Sequence, residues 1–151
     1  MAIRVVRPGE GETINAGPIG IRIIEDGSQT GHRLGLIEAT IPPGPAQPPQ
    51  HVHSEHDEVF IVTAGKLRFT SGDTAFDAEA GSVVVVPPGE PHTFSNPFET
   101  TAVFLGTMTP DLYIQYFRDL AALPTGPEGL LNPAEIGRVM SRYATQVVRS
   151  G

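Results

Sequence analysis

Short apolar and β-branched runs recur along the first two thirds of the chain, at residues 3–6, 19–25, 34–41, 59–62, 67–70, 82–86 and 102–105. Between them stand Pro8-Gly9, Gly17-Pro18, Asp26-Gly27, Ala64-Gly65, Ser71-Gly72-Asp73 and Pro88-Gly89, the residue types that make tight turns. Strands this short, separated by turns rather than helices, predict an antiparallel sandwich or barrel and not alternating βα units. Residues 83–86 are all valine, which predicts a strand covered on both faces. The proline-rich stretch 42–49 cannot be a central strand, because proline donates no ladder hydrogen bond. It reads as a stiff loop leading to His51, with a proline-rich ligand for another protein as the other reading.

After Thr107 the period changes. Thr109-Pro110-Asp111 predicts an N-cap, a proline at the first helical position and an acid in the first turn. Tyr113, Tyr116, Phe117 and Leu120 then share one face, and Pro124 ends the helix. Asn132-Pro133-Ala134-Glu135 has the form of a capping box opening a second helix, whose apolar stripe is Ile136, Val139, Met140, Tyr143 and Val147. The chain thus divides into a β unit at 1–108 and a helical extension at 109–151, packed on the β unit or on a second copy.

At 151 residues, one domain is expected. The formal charge of −7, without a basic cluster, argues against nucleic acid or an anionic membrane as partner. With no cysteine there is no disulfide, thiolate metal site or cysteine nucleophile. No apolar run has the length of a membrane span or the form of a signal core, so a cytoplasmic location is expected.

The chemistry gathers in two windows. The first reads Gly44-(x6)-His51-Val52-His53-(x4)-Glu58-(x6)-Gly65. In an extended segment, side chains two apart point to the same side, so His51 and His53 can serve one ion. Glu58 opens the next strand, with Glu55 and Asp57 as its local rivals. The second window reads Gly81-(x5)-Pro87-Pro88-Gly89-Glu90-Pro91-His92-(x3)-Asn96, where a Pro-Gly turn redirects the chain just before His92. Three imidazoles and a carboxylate suit Fe, Mn, Co, Ni, Cu or Zn and leave coordination positions open. Phe60 and Val62 share the parity of Glu58, and Phe94 that of His92, which makes them candidate pocket residues. Asn96 is expected to hold a turn, His56 to be a solvated turn residue and His32 to lie at the surface without a partner.

These windows resemble the two signature motifs of the cupin superfamily. The second matches G(x5)PxG(x2)H(x3)N at every fixed position, and the first differs by one extra residue between Gly44 and His51. The resemblance implies an all-β fold, the double-stranded β-helix or jelly-roll barrel, here followed by two C-terminal α-helices. It also implies His51, His53, Glu58 and His92 as ligands of a divalent transition metal. The His-x-His-(x3)-Asp-Glu-x-Phe form looks like small bacterial cupins related to quercetin 2,3-dioxygenases, in which the glutamate is both ligand and base. That finer resemblance implies a dioxygenase acting on a flavonol-like or other enolisable aromatic molecule, with Glu58 catalytic and dioxygen as co-substrate. An oxygen-independent lyase, isomerase or cyclase and a non-catalytic binding module stand as alternatives. A homodimer is expected, because a small barrel often covers an exposed sheet or helix with a copy of itself.

Overall fold

The computed structural model describes residues 2–148. Ten strands precede the first helix: β1 (Glu12–Ala16), β2 (Ile19–Glu25), β3 (Gly35–Ile41), β4 (His51–His53), β5 (Asp57–Ala64), β6 (Lys66–Ser71), β7 (Thr74–Glu79), β8 (Val83–Val86), β9 (Thr93–Ser95) and β10 (Ala102–Thr109). Helix α1 (Ile114–Ala121), helix α2 (Pro133–Met140) and a last strand, β11 (Thr145–Val147), follow.

One sheet has the order β1-β2-β3-β10-β5-β8, and every pairing in it is antiparallel. Facing strands form the ladders β7-β6-β9 and β11-β4, joined by the bridges His51–His92 and Gly44–Asn96. This is a jelly-roll arrangement, followed by two C-terminal helices. Burial alternates along β2, β3, β5 and β10, so one side of each strand forms the core. Phe60 lies at its centre, 5.1 Å from the ring centroids of both Phe69 and Phe104. The turn between β5 and β6 requires glycine at 65, because φ is +68° and a Cβ there would lie 2.5 Å from the Thr101 carbonyl oxygen.

Four sequence expectations need correction. Residues 3–6 belong to no strand; Ile3 is 96% exposed and Val5 64%, because no neighbouring strand covers them. The valine strand β8 is not covered on both faces. It pairs only with β5 among the described residues and leaves Val83 57% and Val85 66% exposed. The first helix does not start at Thr109-Pro110: β10 runs to Thr109, the Thr109–Pro110 peptide is cis, and α1 begins at Ile114 without a side-chain cap. The second helix begins as expected, with the Asn132 side chain accepting from the amides of Ala134 and Glu135, but it stops at Met140. Tyr143 therefore lies in a 3-10 turn, and Val147 sits in β11.

The apolar faces of both helices pack on the chain's own barrel. Tyr116 and Leu120 of α1 and Ile136, Val139 and Met140 of α2 are all buried there, and β11 returns to pair with β4. No helix among the described residues is long and apolar enough to cross a membrane.

Candidate metal centre

The windows converge. Strand β4 alternates buried, half-buried, buried, which turns His51 and His53 inward together. Glu58 is the first inward residue of β5, where Asp57 is exposed, so parity selects Glu58 over its neighbour. Glu55 is exposed as well. His92 comes in from the far side of the turn at 87–91. That turn is fixed by Gly89, whose φ is +88° and whose amide donates to the His53 carbonyl at 2.8 Å. His51 and His92 form a bridge through both of their backbone amides. Ring centroids lie 4.7 Å apart for His51–His53, 4.4 Å for His51–His92 and 4.9 Å for His53–His92. One donor atom from each of the four residues falls within 4.8 Å of the others, and all four residues are buried.

Each imidazole is held from behind through Nδ1: His51 by the Pro49 carbonyl at 2.7 Å, His92 by the Glu90 carbonyl at 3.0 Å, and His53 by the Thr145 hydroxyl at 2.7 Å. Each therefore keeps Nε2 for the centre, the usual arrangement in which an outer partner orients a metal-binding histidine. Glu58 Oε2 lies 2.8 Å from His53 Nε2 and 3.2 Å from His92 Nε2. The His53 nitrogen nevertheless has no well-directed hydrogen bond. A buried, orphaned ring nitrogen beside two more imidazoles and a carboxylate fits a metal ion, and the His3Glu set is a donor group able to bind one.

The charge states of His51 and Glu58 suit ligation. Burial lowers the pKa of His51 to about 3, helped by His92 and His53, so its ring is neutral at ordinary pH. For Glu58, burial works to raise the pKa, but hydrogen bonds from His53 and His92 outweigh it and hold the carboxyl well below the usual range. His92 shows the complement: burial works to lower its pKa, while the hydrogen bond and charge of Glu58 prevail and raise it.

Beside this cluster lies a cavity of about 630 Å³. His51 and Glu58 reach its wall, with Phe60, Phe94 and Phe104 from the barrel and Tyr113, Tyr116 and Phe117 from the tail. No lysine or arginine lines it among the described residues. Of the expected pocket residues, Phe60 and Phe94 are on the wall. Val62 is not; it is buried in the core one step further along β5. The proline-rich loop also contributes, through residues 45–49, and Pro48 accepts a hydrogen bond from the Thr93 hydroxyl at 2.6 Å.

Three other side chains complete the comparison with the sequence. Asn96 does hold a turn: its amide donates to the Ile41 and Thr100 carbonyls and accepts from the Phe98 amide. His56, expected in solvent, is only 1% exposed. Its ring lies 4.1 Å from that of His53, both its nitrogens are unpartnered, and burial lowers its pKa to about 4. His32 is at the surface but has a partner, Asp111, at 3.0 Å.

Residues 37–108 match the family model described as a cupin domain. No curated protein sequence matches the chain significantly. Among solved structures, the chain is similar to a predicted oxalate decarboxylase from Thermotoga maritima, at 21% identity over 71% of this chain and 99% of that one, with a TM-score of 0.64. It is also similar to KdgF from a Halomonas species, at 17% identity over 71% and 94% of the two chains, with a TM-score of 0.62. A third neighbour is a sugar phosphate isomerase of the cupin superfamily from Silicibacter pomeroyi, at 26% identity over 62% and 61%, with a TM-score of 0.55. These neighbours differ in their named activities, and what they have in common with this chain is the fold. Motifs, barrel, convergent side chains and the matching model together show that residues 37–108 form a domain of the cupin superfamily.

Proposed function

We propose that the protein is a metal-dependent dioxygenase acting on a flavonol-like or other enolisable aromatic molecule, which reaches the metal through an oxygen atom. The observation that carries this reading is the placing of Glu58. Its carboxylate lies within 3.2 Å of two imidazole nitrogens and also reaches the wall of an aromatic cavity lined by no lysine or arginine among the described residues. A bound ion would supply Lewis acidity and a site for a substrate oxygen. Glu58, held ionised, accepts the proton of the substrate hydroxyl. Phe60, Phe94, Phe104 and Tyr116 provide flat apolar contacts for a ring system and keep water from it. A phosphorylated sugar would call for a lysine or arginine on the wall, which favours an uncharged aromatic ligand over the substrate type named for the isomerase neighbour.

The test is oxygen uptake by protein loaded separately with Fe, Mn, Co, Ni, Cu or Zn and offered a panel of flavonols and other enols. Elemental analysis of protein purified without added metal identifies the native ion. Metal-dependent oxygen consumption supports the proposal. Equal turnover under strict anaerobiosis replaces it with a lyase, isomerase or cyclase, and tight binding without turnover with any ion replaces it with a binding module. We also propose a homodimer, favoured by the exposed Val83 and Val85 on the free edge of β8; light scattering showing a monomer at micromolar concentration refutes it.

A further inference from the structure

We infer that the C-terminal strand is a working part of the metal centre, and that Thr145 is a positioning residue which selects the nitrogen His53 offers to the ion. This rests on reading the four side chains as a metal site.

Strand β11 lies outside residues 37–108, which match the cupin domain, yet it pairs with the strand that carries two of the ligands. Thr145 stands opposite His53 and Val147 opposite His51. The segment is fastened at both ends: the Ser54 amide and hydroxyl donate to the Ala144 carbonyl, at 3.0 and 3.1 Å, and the Val148 amide donates to the Gln50 carbonyl at 2.8 Å. Ala144 adopts a left-handed conformation, φ +50°, as the chain leaves the turn after α2 and enters the ladder.

The chemistry lies in the hydroxyl of Thr145, which is buried with its residue. A hydroxyl has one proton, and this one is committed to the Tyr143 carbonyl at 2.9 Å. Toward His53 Nδ1, at 2.7 Å, the oxygen can only accept. His53 therefore carries a proton on Nδ1, which leaves Nε2 as the nitrogen it can offer to an ion. The Nδ1 atoms of His51 and His92 meet main-chain carbonyls, which have no proton to donate and likewise call for a proton on Nδ1. Thr145 is the one case of the three in which a side chain has that role, and it reaches the ligand from 92 residues away in sequence.

The experiment uses the full-length protein and zinc as probe. Thr145→Val keeps the shape and removes the acceptor, while Thr145→Ser restores it. Zinc affinity of Thr145→Val should fall about 10–100-fold, the range for losing an outer partner of a ligating histidine, and that of Thr145→Ser should lie within about threefold of wild type. Long-range ¹⁵N–¹H spectra of the metal-free wild-type protein, with His53 assigned through its loss in His53→Gln, should show a proton on its Nδ1. Thr145→Val should lose that signature. The proposal is overturned if Thr145→Val binds zinc as tightly as wild type, if Thr145→Ser is as weak as Thr145→Val, or if wild-type His53 carries no proton on Nδ1. The tautomer readout stands even if Thr145→Val does not fold. Wild-type protein that binds no zinc, cobalt or iron would refute the metal site itself, a different result from any of these.

Discussion

His51 and His92 exchange both main-chain hydrogen bonds, His51 N to His92 O at 3.0 Å and His92 N to His51 O at 2.9 Å. Partners of this kind in an antiparallel ladder carry their side chains on the same face. The two imidazoles are therefore brought together by backbone pairing before any ion arrives, and the site is largely preformed. Loss of outer partners of metal-bound histidines already weakens binding 10–100-fold, so removal of a ligand itself should cost at least about a hundredfold. His92→Gln is expected to lower zinc or cobalt affinity by that factor, measured by calorimetry. Unchanged metal content in the purified variant would refute ligation by His92.

Metal binding should release a proton. His92 Nδ1 faces the Glu90 carbonyl while Nε2 faces Glu58, so in the metal-free protein the carboxylate favours the imidazolium form of the ring. The proton on Nε2 occupies the atom the ion needs. Above the raised pKa of His92 the ring is neutral and the ion has no competitor; below it, affinity falls by up to about tenfold per pH unit. His51, with its pKa near 3, adds no competition in that range. Affinity should fall from pH 8 to pH 6, and calorimetry in buffers of different ionisation enthalpy should count close to one proton released at pH 6. A pH-independent affinity would contradict this.

Glu58→Gln separates the charge of the carboxylate from its shape. If Glu58 takes the substrate proton, turnover should fall about 10²–10⁴-fold, the usual contribution of a general base. A second readout needs no substrate. Without the carboxylate, burial is opposed only by the Glu90 carbonyl bond, so in an NMR titration of metal-free protein the His92 ring should take up a proton at lower pH than in wild type. An unmoved His92 titration would show that the 3.2 Å contact carries no electrostatic weight.

Asn96 ties the end of the second motif to the start of the first. Its amide bonds two carbonyls and one backbone N–H, and its own carbonyl accepts from Gly44 at 3.1 Å. Asn96→Ala leaves three main-chain groups without their partner in a fully buried position. A cost of about 2–6 kcal/mol is expected, from roughly 1–3 kcal/mol for the buried Ile41 carbonyl and about 0.5–1.5 kcal/mol for each of the part-buried Thr100 carbonyl and Phe98 amide. Urea unfolding of the metal-free protein measures it, and a cost below about 1 kcal/mol would show that water or backbone movement replaces the amide.

The ligand set was legible because its determinants are local. Parity in β4 and β5 and the glycine turn before His92 fix three short stretches, and the sequence spells all of them. The barrel strands were legible for the same reason wherever one face is buried. Val83 and Val85 misled because four valines in a row do not reveal whether a strand is central or at an edge; that depends on β8 having no partner beyond β5 among the described residues. The seven-residue rhythm of Met140, Tyr143 and Val147 suggested a longer helix, while tertiary pairing with β4 draws the chain into β11 instead. His56 and Thr145 could not be placed. The burial of one and the hydrogen bond of the other depend on segments that meet only in the folded chain.

The acceptors behind His51 and His92 are main-chain oxygens, those of Pro49 and Glu90. Exchanging the side chains at 49 and 90 leaves both oxygens in existence, so substitution at these positions has little leverage on ring orientation. Loop length has a great deal. Adding or deleting one residue within 45–50 or 87–91 would displace an oxygen and swing an imidazole with it. Natural drift and laboratory evolution would thus retune this centre through indels more readily than through point changes.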